Sequence, residues 1–225
     1  MNLIKFKIMK FSVIYKPTSL FSLKDSNSTS SGAKSLFLPS PYAIKMAFLS
    51  QAISLGGENF YNDTGKFIIV RDAKISYFIK GNFCVNNCFI KIQKQRDREP
   101  FKTTVSFREY IYLNEDIEII FEVENSDSVS FMKKYLHKIN YFGKRGCFFQ
   151  FINYNDNPPE ANVKPFNVAD MSSGVLQEYD DFGKKVAFDN VNSYSDSKTS
   201  RDKCIFVIPL LSKSSSKSYT SYRSI

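Results

Sequence analysis

The chain has 225 residues, of which 43% are hydrophobic and 24% are charged, so it is long enough and apolar enough to bury a real core. Its formal net charge of +9 favours an anionic partner, nucleic acid before an anionic membrane surface, over a merely solvated basic surface. No apolar run is long enough to span a bilayer and no secretory signal stands out. Membrane-spanning classes are therefore excluded, and we expect a cytoplasmic protein with no membrane partner.

The first predicted elements are a strand and a helix separated by a long loop. Leu3 to Tyr15 alternates apolar and polar residues as a strand does, and residues 16–39 form a serine-rich loop. Ser40 followed by Pro41 begins a helix that ends at Gly56-Gly57, since serine caps free N–H groups and proline suits the first helical position. Lys45 is expected to be the exposed polar exception on an otherwise apolar face.

The middle of the chain is predicted to be rich in strands. Residues 66–70 and 74–80 favour strands, and residues 104–113 with 117–123 are expected to pair as a hairpin. Between Glu109 and Met132 the chain has no Lys or Arg, while Glu118, Glu122 and Glu124 occupy one strand face. Such an acidic face repels nucleic acid, so a binding surface is expected elsewhere.

A second helix, capped within residues 126–128, is followed by a glycine-bracketed turn at 143–146 and a strand over 147–152. The order strand, helix, strand, strand, helix, strand predicts an α+β, ferredoxin-like βαββαβ core over residues 1–153. Residues 81–113 form an insert with a β-hairpin. We expect a small β-rich region over 154–211 and a disordered, serine-rich tail over 212–225.

The basic stretch from Phe131 to Gly146 is the strongest candidate for binding. It carries Lys133, Lys134, Lys138, Lys144 and Arg145 without a carboxylate. Exposed N–H groups in a glycine-flanked turn beside a guanidinium suit a phosphodiester, and the alternative is a basic turn with no ligand. His137 lies in the last turn of the second helix, where it can interact with the helix end or serve as an acid or base.

The cysteines and the single histidine do not form a recognisable metal site. Cys84 and Cys88 are separated by three residues, not the two of the commonest zinc knuckle, and His137 is remote from them. Buried free thiols are expected instead. We predict no metal, no cofactor and no catalytic residue, since neither a nucleophile elbow nor a phosphate-binding Walker loop is present.

Residues 38–47, Leu-Pro-Ser-Pro-Tyr-Ala-Ile-Lys-Met-Ala, and 141–146, Tyr-Phe-Gly-Lys-Arg-Gly, carry a family resemblance. Over about Met1 to Ile152 the chain resembles the RAMP superfamily of CRISPR-associated proteins, and within it the Cas-five family of type I Cascade subunits. The resemblance implies an RRM-like core, a thumb hairpin at residues 81–113 and a small C-terminal β region. Where RNA-cleaving relatives commonly place a histidine near the first helix, this chain has only Tyr42 and Lys45 as comparable polar groups.

The resemblance also implies a function in an RNA-guided complex, and leaves open whether that complex serves antiviral defence or a transposon. Such a subunit is non-catalytic, caps the 5′ handle of CRISPR RNA (crRNA), contacts the backbone and large subunits of Cascade, and meets target DNA indirectly. The expected RNA-binding residues are Tyr42, Lys45, Lys94, Arg96, Arg98, Lys102, Lys138, Tyr141, Phe142, Gly143, Lys144, Arg145 and Gly146. Two alternatives stay open: a metal-independent endoribonuclease that processes repeat RNA with His137 as acid or base, and a basic protein-interaction subunit without RNA contact.

Overall fold

A computed structural model describes residues 8–29, 32–96, 99–169, 173–191 and 199–225. The helices are α1 (Pro41–Gly56), α2 (Glu58–Tyr61), α3 (Thr64–Asp72), α4 (Ser126–Leu136) and α5 (Phe188–Val191). The strands are β1 (Met9–Pro17), β2 (Leu23–Lys24), β3 (Gly32–Ala33), β4 (Ser35–Leu36), β5 (Lys74–Ile79), β6 (Phe83–Arg96), β7 (Glu99–Leu113), β8 (Ile117–Val123), β9 (Phe149–Asn155), β10 (Lys164–Pro165), β11 (Val175–Phe182), β12 (Arg201–Ile208), β13 (Leu210–Ser215) and β14 (Tyr219–Ser224).

The central sheet has the strand order β5-β8-β1-β9, and every neighbouring pair in it is antiparallel. Alternate side chains of β1, namely Phe11, Val13 and Tyr15, are fully buried on one face of this sheet. Helix α4 packs there, and the Tyr15 hydroxyl donates to the carbonyl of Leu136 at 2.7 Å. Helix α1 packs beside α4 through Phe48, whose burial alone contributes about 1.5–3 kcal/mol.

Three further sheets surround this layer, and the predicted α+β class is confirmed. Strands β10, β12 and β11 form a three-stranded sheet whose inner residues, including Tyr179 and Phe206, join the same core. Strands β6 and β7 form a long antiparallel hairpin that lies between β5 and β8 in the chain. No helix in the described residues is long and apolar enough to cross a membrane.

The middle of the chain differs from the sequence prediction in two places. Residues 66–70 belong to helix α3, because Asp63 caps its first turn by accepting the Lys66 N–H and because Phe67 and Val70, three residues apart, face the core. Residues 104–113 and 117–123 do not pair with each other. Strand β7 pairs with β6, while β8 lies between β1 and β5.

Cysteine burial also differs from the prediction. All four thiols are free, and Cys147 is buried, but Cys84 is only half-buried and Cys88 is exposed. Cys88 lies on the part of β6 that extends beyond the core, next to Phe89, which is 77% exposed. The core therefore covers the base of the β6–β7 hairpin, whereas Cys88, Phe89 and Val105 farther along it are exposed.

Residues 212–225, predicted to be a disordered tail, instead lie in β13 and β14. Strand β14 pairs with the base of β6, from Tyr219 opposite Asn86 to Tyr222 opposite Phe83. The Tyr222 ring meets Phe37 edge-on at 5.2 Å, which ties this strand to the core. Serine-rich composition did not prevent strand formation because the open edge of β6 offers backbone partners.

Removing β14 by deleting residues 216–225 should lower the free energy of unfolding by about 2 kcal/mol or more, because a half-buried tyrosine and an edge ladder are lost. Urea denaturation followed by circular dichroism measures this change. The matched control is Lys213→Ala, an exposed position in β13 that should change stability by less than about 0.5 kcal/mol. Unchanged stability on deletion would support the tail predicted from the sequence.

Candidate nucleic-acid interface

The segment that leads into α1 is fixed by side chains of β11 and β5. Gln177 Oε1 accepts the N–H of Phe37 at 2.8 Å, and the Tyr179 hydroxyl accepts the N–H of Leu38 at 3.2 Å. The Tyr77 hydroxyl donates to the carbonyl of Pro39 at 2.7 Å. Burial raises the pKa of Tyr77 and of Tyr179, so both hydroxyls keep their protons. The start of α1 is therefore held in one position by buried hydrogen bonds.

Helix α1 begins as the sequence predicts. Ser40 is the N-cap, and its hydroxyl accepts the N–H of Ala43 at 3.2 Å, while its carbonyl accepts the N–H of Ile44 at 3.0 Å. Pro41 has no N–H to satisfy. Within the described residues, the N–H of Tyr42 has no acceptor, in contrast to those of Ala43 and Ile44.

The turn at residues 143–146 folds back on itself, with Phe142 N–H donating to the Cys147 carbonyl at 3.2 Å. Gly143 and Gly146 have φ of 69° and 101°, which other residues rarely adopt, so the predicted need for glycine is confirmed at both positions. A Cβ at Gly143 would also approach the Leu23 side chain at 3.2 Å. Lys144 and Arg145 are exposed, and neither has a carboxylate within ion-pair distance among the described residues.

A groove lies between this turn and the N-terminus of α1. We call it the turn groove, and it is lined by Ser22, Leu23, Lys24, Leu36, Ser40, Ala43, Gly143 and Lys144. Its volume is about 190 Å³, and its lining includes two lysines and no carboxylate. Two ammonium groups beside a helix N-terminus create a positive potential that suits a phosphate group.

A second cavity of about 370 Å³ shares Lys24, Leu36, Ser40 and Ala43 with the turn groove. We call it the stack pocket, and its remaining lining residues are Ser26, Tyr42, Glu178, Asp180 and Arg201. The guanidinium carbon of Arg201 lies 4.0 Å from the centre of the Tyr42 ring. Arg201 Nη1 also donates to Asp180 Oδ2 at 3.0 Å, which holds the guanidinium in place.

Lys45 is buried, and this corrects its prediction as an exposed RNA ligand. Its side chain is 2% exposed, its ammonium lies 2.7 Å from Asp181 Oδ1, and it donates to the carbonyl of Arg71 at 2.8 Å. Burial lowers the pKa of Lys45, while Asp181 acts in the opposite direction. Lys45 thus joins α1 to α3 and β11 and has no surface to offer RNA.

Phe142 is also unavailable to RNA, in contrast to its prediction. Its ring is fully buried, 5.1 Å from the rings of both Tyr15 and Phe149. Tyr141 is half-buried and bridges to Phe148 through the backbone, and the Phe148 side chain is exposed. The aromatic residues of this turn therefore anchor it to the core, while its glycines and cations face outward.

Of the four predicted residues of the hairpin, Lys102 alone has a described side chain, and it does not line the turn groove. Arg98 lies outside the described residues, as do the side chains of Lys94 and Arg96, whose backbones belong to β6. Lys102 is exposed on β7 opposite Lys94. The exposed ring of Phe89 meets that of Phe107 at 5.5 Å.

His137 is the C-cap of α4 and Lys138 follows it, both exposed. The His137 Nδ1 lies 2.9 Å from the carbonyl of Lys133, and the Tyr154 hydroxyl donates to the same carbonyl and accepts the backbone N–H of His137. Burial raises the pKa of Tyr154 to about 12. No carboxylate contacts the imidazole within the described residues, and these contacts serve the end of the helix.

Sequence reasoning missed Lys24 and Arg201. Lys24 is an isolated lysine in a serine-rich loop, and Arg201 begins a strand far along the chain. Neither position carries a motif, and only the fold brings both beside Tyr42 and Ser40. Among the described residues, no group of three or more His, Cys, Asp or Glu side chains is placed to hold a metal ion.

The chain is similar to the CRISPR-associated protein Cas5 of Archaeoglobus fulgidus, with 27% identity over 189 residues. This similarity covers 79% of the chain and 81% of that relative. The predicted resemblance to the Cas5 family is confirmed. No protein-family model matches the chain. A crystal structure of a CRISPR protein from Archaeoglobus fulgidus aligns with 97% of this chain and 92% of its own, at 12% identity and a TM-score of 0.45.

Replacing Lys45 by Met should lower stability and leave RNA affinity unchanged. The change leaves Asp181 and the Arg71 carbonyl without their cation, at a cost of about 1–3 kcal/mol in the free energy of unfolding. Urea denaturation at pH 7 measures the change in the free energy of unfolding. The dissociation constant for RNA, measured on the folded protein, shows whether affinity is unchanged. A selective loss of RNA affinity without loss of stability would restore Lys45 to the interface.

Proposed function

We propose that this CRISPR-associated protein is a non-catalytic, RNA-binding subunit of a type I Cascade effector complex. It caps the 5′ handle of crRNA and contacts neighbouring subunits, so that its contribution to DNA targeting is indirect. The carboxylate-free turn groove carries this proposal, because Lys24 and Lys144 line it together with Ser40, the N-cap of α1, and leave a space that a phosphate can enter.

The proposed fold behind this function is a ferredoxin-like core of the RRM and RAMP type. Its six parts are β1, α1, β5, β8, α4 and β9, in chain order. The antiparallel order β5-β8-β1-β9 supports it, since the second and third strands of the core neighbour each other and the first lies between the third and the fourth. In this arrangement the turn at 143–146 directly precedes the last core strand and lies beside the start of the first helix.

Charge segregation supports an RNA path along the groove and not across the open face of the sheet. On that face, Glu122 pairs with Lys10 at 2.7 Å, and Glu118 accepts hydrogen bonds from Ser12 and Asn155. These carboxylates repel phosphate, whereas Lys144 and Arg145 attract it.

We propose that the β6–β7 hairpin is the thumb that meets neighbouring subunits and RNA. The exposed Phe89 and Val105 near its distal half support a protein or base contact, because large apolar side chains in such a position bury well only against a partner.

We also propose that the protein does not cleave RNA. The contacts of His137 with the Lys133 carbonyl and with Tyr154 support a helix-end role, and no general acid or base pair is built around it in the described residues. Metal-independent cleavage of repeat RNA by His137 is the alternative that must be tested directly.

The double variant Lys144→Ala, Arg145→Ala should weaken binding of a labelled CRISPR repeat RNA. Because each phosphate contact to a single strand contributes about 0.7 to the slope of log K against log salt concentration, the loss of two contacts should reduce the slope by about 1.4. Filter binding at several salt concentrations measures both affinity and slope. Lys213→Ala, which removes an exposed charge elsewhere, is the matched control, and equal behaviour of the two variants would remove the turn from the interface.

His137→Ala should leave RNA intact and bound with wild-type affinity. The expected cost is about 0.3–1 kcal/mol of folding stability, as for a cation at an exposed helix end, and less when the imidazole is neutral. Gel analysis of labelled repeat RNA in EDTA, with both proteins, measures cleavage. Cleavage by the wild type that disappears in the variant would establish the endoribonuclease in place of the capping subunit.

A further inference from the structure

The stack pocket has a different chemical character from the turn groove next to it. Glu178 and Asp180 are two residues apart on β11, so their carboxylates point to the same side and both line the pocket. These carboxylates bring acceptor oxygens that the turn groove lacks, and Lys24 and Arg201 line the same pocket. The pocket therefore suits a ligand group that is flat and that donates hydrogen bonds.

Arg201 provides the flat surface. Tyr42 covers one face of its guanidinium at 4.0 Å, Asp180 holds its edge, and the side chain is still 43% exposed. The Tyr42 ring is itself supported edge-on by Phe182 at 5.3 Å. A guanidinium plane held in this way is a surface on which nucleobases stack in single-stranded RNA.

Glu178 provides the acceptor. Its Oε1 accepts hydrogen bonds from both Asn27 Nδ2 and Lys203 Nζ, while its Oε2 has no partner among the described residues. An ionised carboxylate with one oxygen already anchored presents the other in a defined direction.

We propose that the stack pocket binds one nucleobase that carries an exocyclic amino group, with the base stacked on Arg201 and its amino group donating to Glu178 Oε2. This inference rests on the proposed RNA-binding function. The two cavities share the wall formed by Lys24, Ser40 and Ala43, so a nucleotide whose phosphate lies in the turn groove can place its base in the stack pocket.

The pairing chemistry predicts a preference among bases. Cytosine presents an amino group at C4, where uracil presents a carbonyl oxygen that a carboxylate repels. The two bases have the same size and stack similarly, so they form a matched pair of probes. A site built around this acceptor should disfavour uracil, because Glu178 Oε2 would face a carbonyl oxygen and not a donor.

The experiment measures binding of the full-length protein to labelled octamers of cytidine, of uridine and of abasic ribose phosphate, at one salt concentration, by fluorescence anisotropy. We expect the cytidine octamer to bind about ten-fold more tightly than the uridine octamer. Glu178→Gln should reduce this preference to less than about two-fold, since an amide can donate to the uracil carbonyl. Arg201→Lys retains the positive charge and removes the planar guanidinium. For both base-containing octamers, it should reduce the ratio of their affinity to that of the abasic octamer by about five-fold.

Lys213→Ala is the control for unspecific charge and should leave the ratio of cytidine to uridine affinity unchanged. Thermal melting of each variant establishes that it is folded, and if Arg201→Lys is not, the Glu178→Gln ratio decides. Equal binding of all three octamers, unaffected by either variant, would overturn the base pocket and leave phosphate binding in place. Absence of binding to any octamer would overturn both this inference and the proposed function.

Discussion

The ion pair between the buried Lys45 and Asp181 fixes the part of the fold on which the proposed interface depends. It links the N-terminal part of α1 to β11, and the same ammonium donates to the carbonyl of Arg71 at the C-terminal end of α3. An ammonium that is 2% exposed cannot remain in the core without these partners, so the three elements must meet in one arrangement. That arrangement fixes the position of the start of α1 and of the Tyr42 N–H.

Both faces of strand β11 contribute to the region around the start of α1. Its inward residues Gln177 and Tyr179 hold the backbone before α1, and its outward residues Glu178 and Asp180 line the stack pocket. One strand thus sets both the geometry of the helix end that we propose to bind phosphate and the chemistry of the adjacent cavity. The small C-terminal sheet is in this sense part of the proposed interface, although none of the residues predicted from the sequence to contact RNA belongs to it.

The parts of the fold that the sequence predicts correctly are those with local causes. Ser40 and Pro41 act within one helical turn, and the two glycines adopt backbone angles that few other residues tolerate, so each can be read from its immediate neighbours. The burial of Lys45 could not be predicted in this way, because its partner Asp181 lies far along the chain. The apolar run within 66–70 is too short to distinguish a strand from a helix. The side chain of Asp63, which caps the first turn, favours the helix that the structure shows. The prediction that Phe142 binds RNA was wrong for a related reason. Its ring packs in the core and anchors the turn, and its contacts Tyr15 and Phe149 are not evident from the turn sequence alone.

The pairing of β14 with β6 has a consequence for how the protein is made. During synthesis, β6 and β7 emerge early, but the edge of β6 that carries Phe83 and Val85 has no neighbour until residues 219–224 leave the ribosome. An unpaired edge with apolar side chains is a template for association with other nascent chains. A nascent chain that stalls before β14 would therefore expose the unpaired, aggregation-prone edge of β6. We expect chaperone dependence and solubility during expression to be governed by those late residues more than by the central sheet, whose four strands are all complete by Asn155.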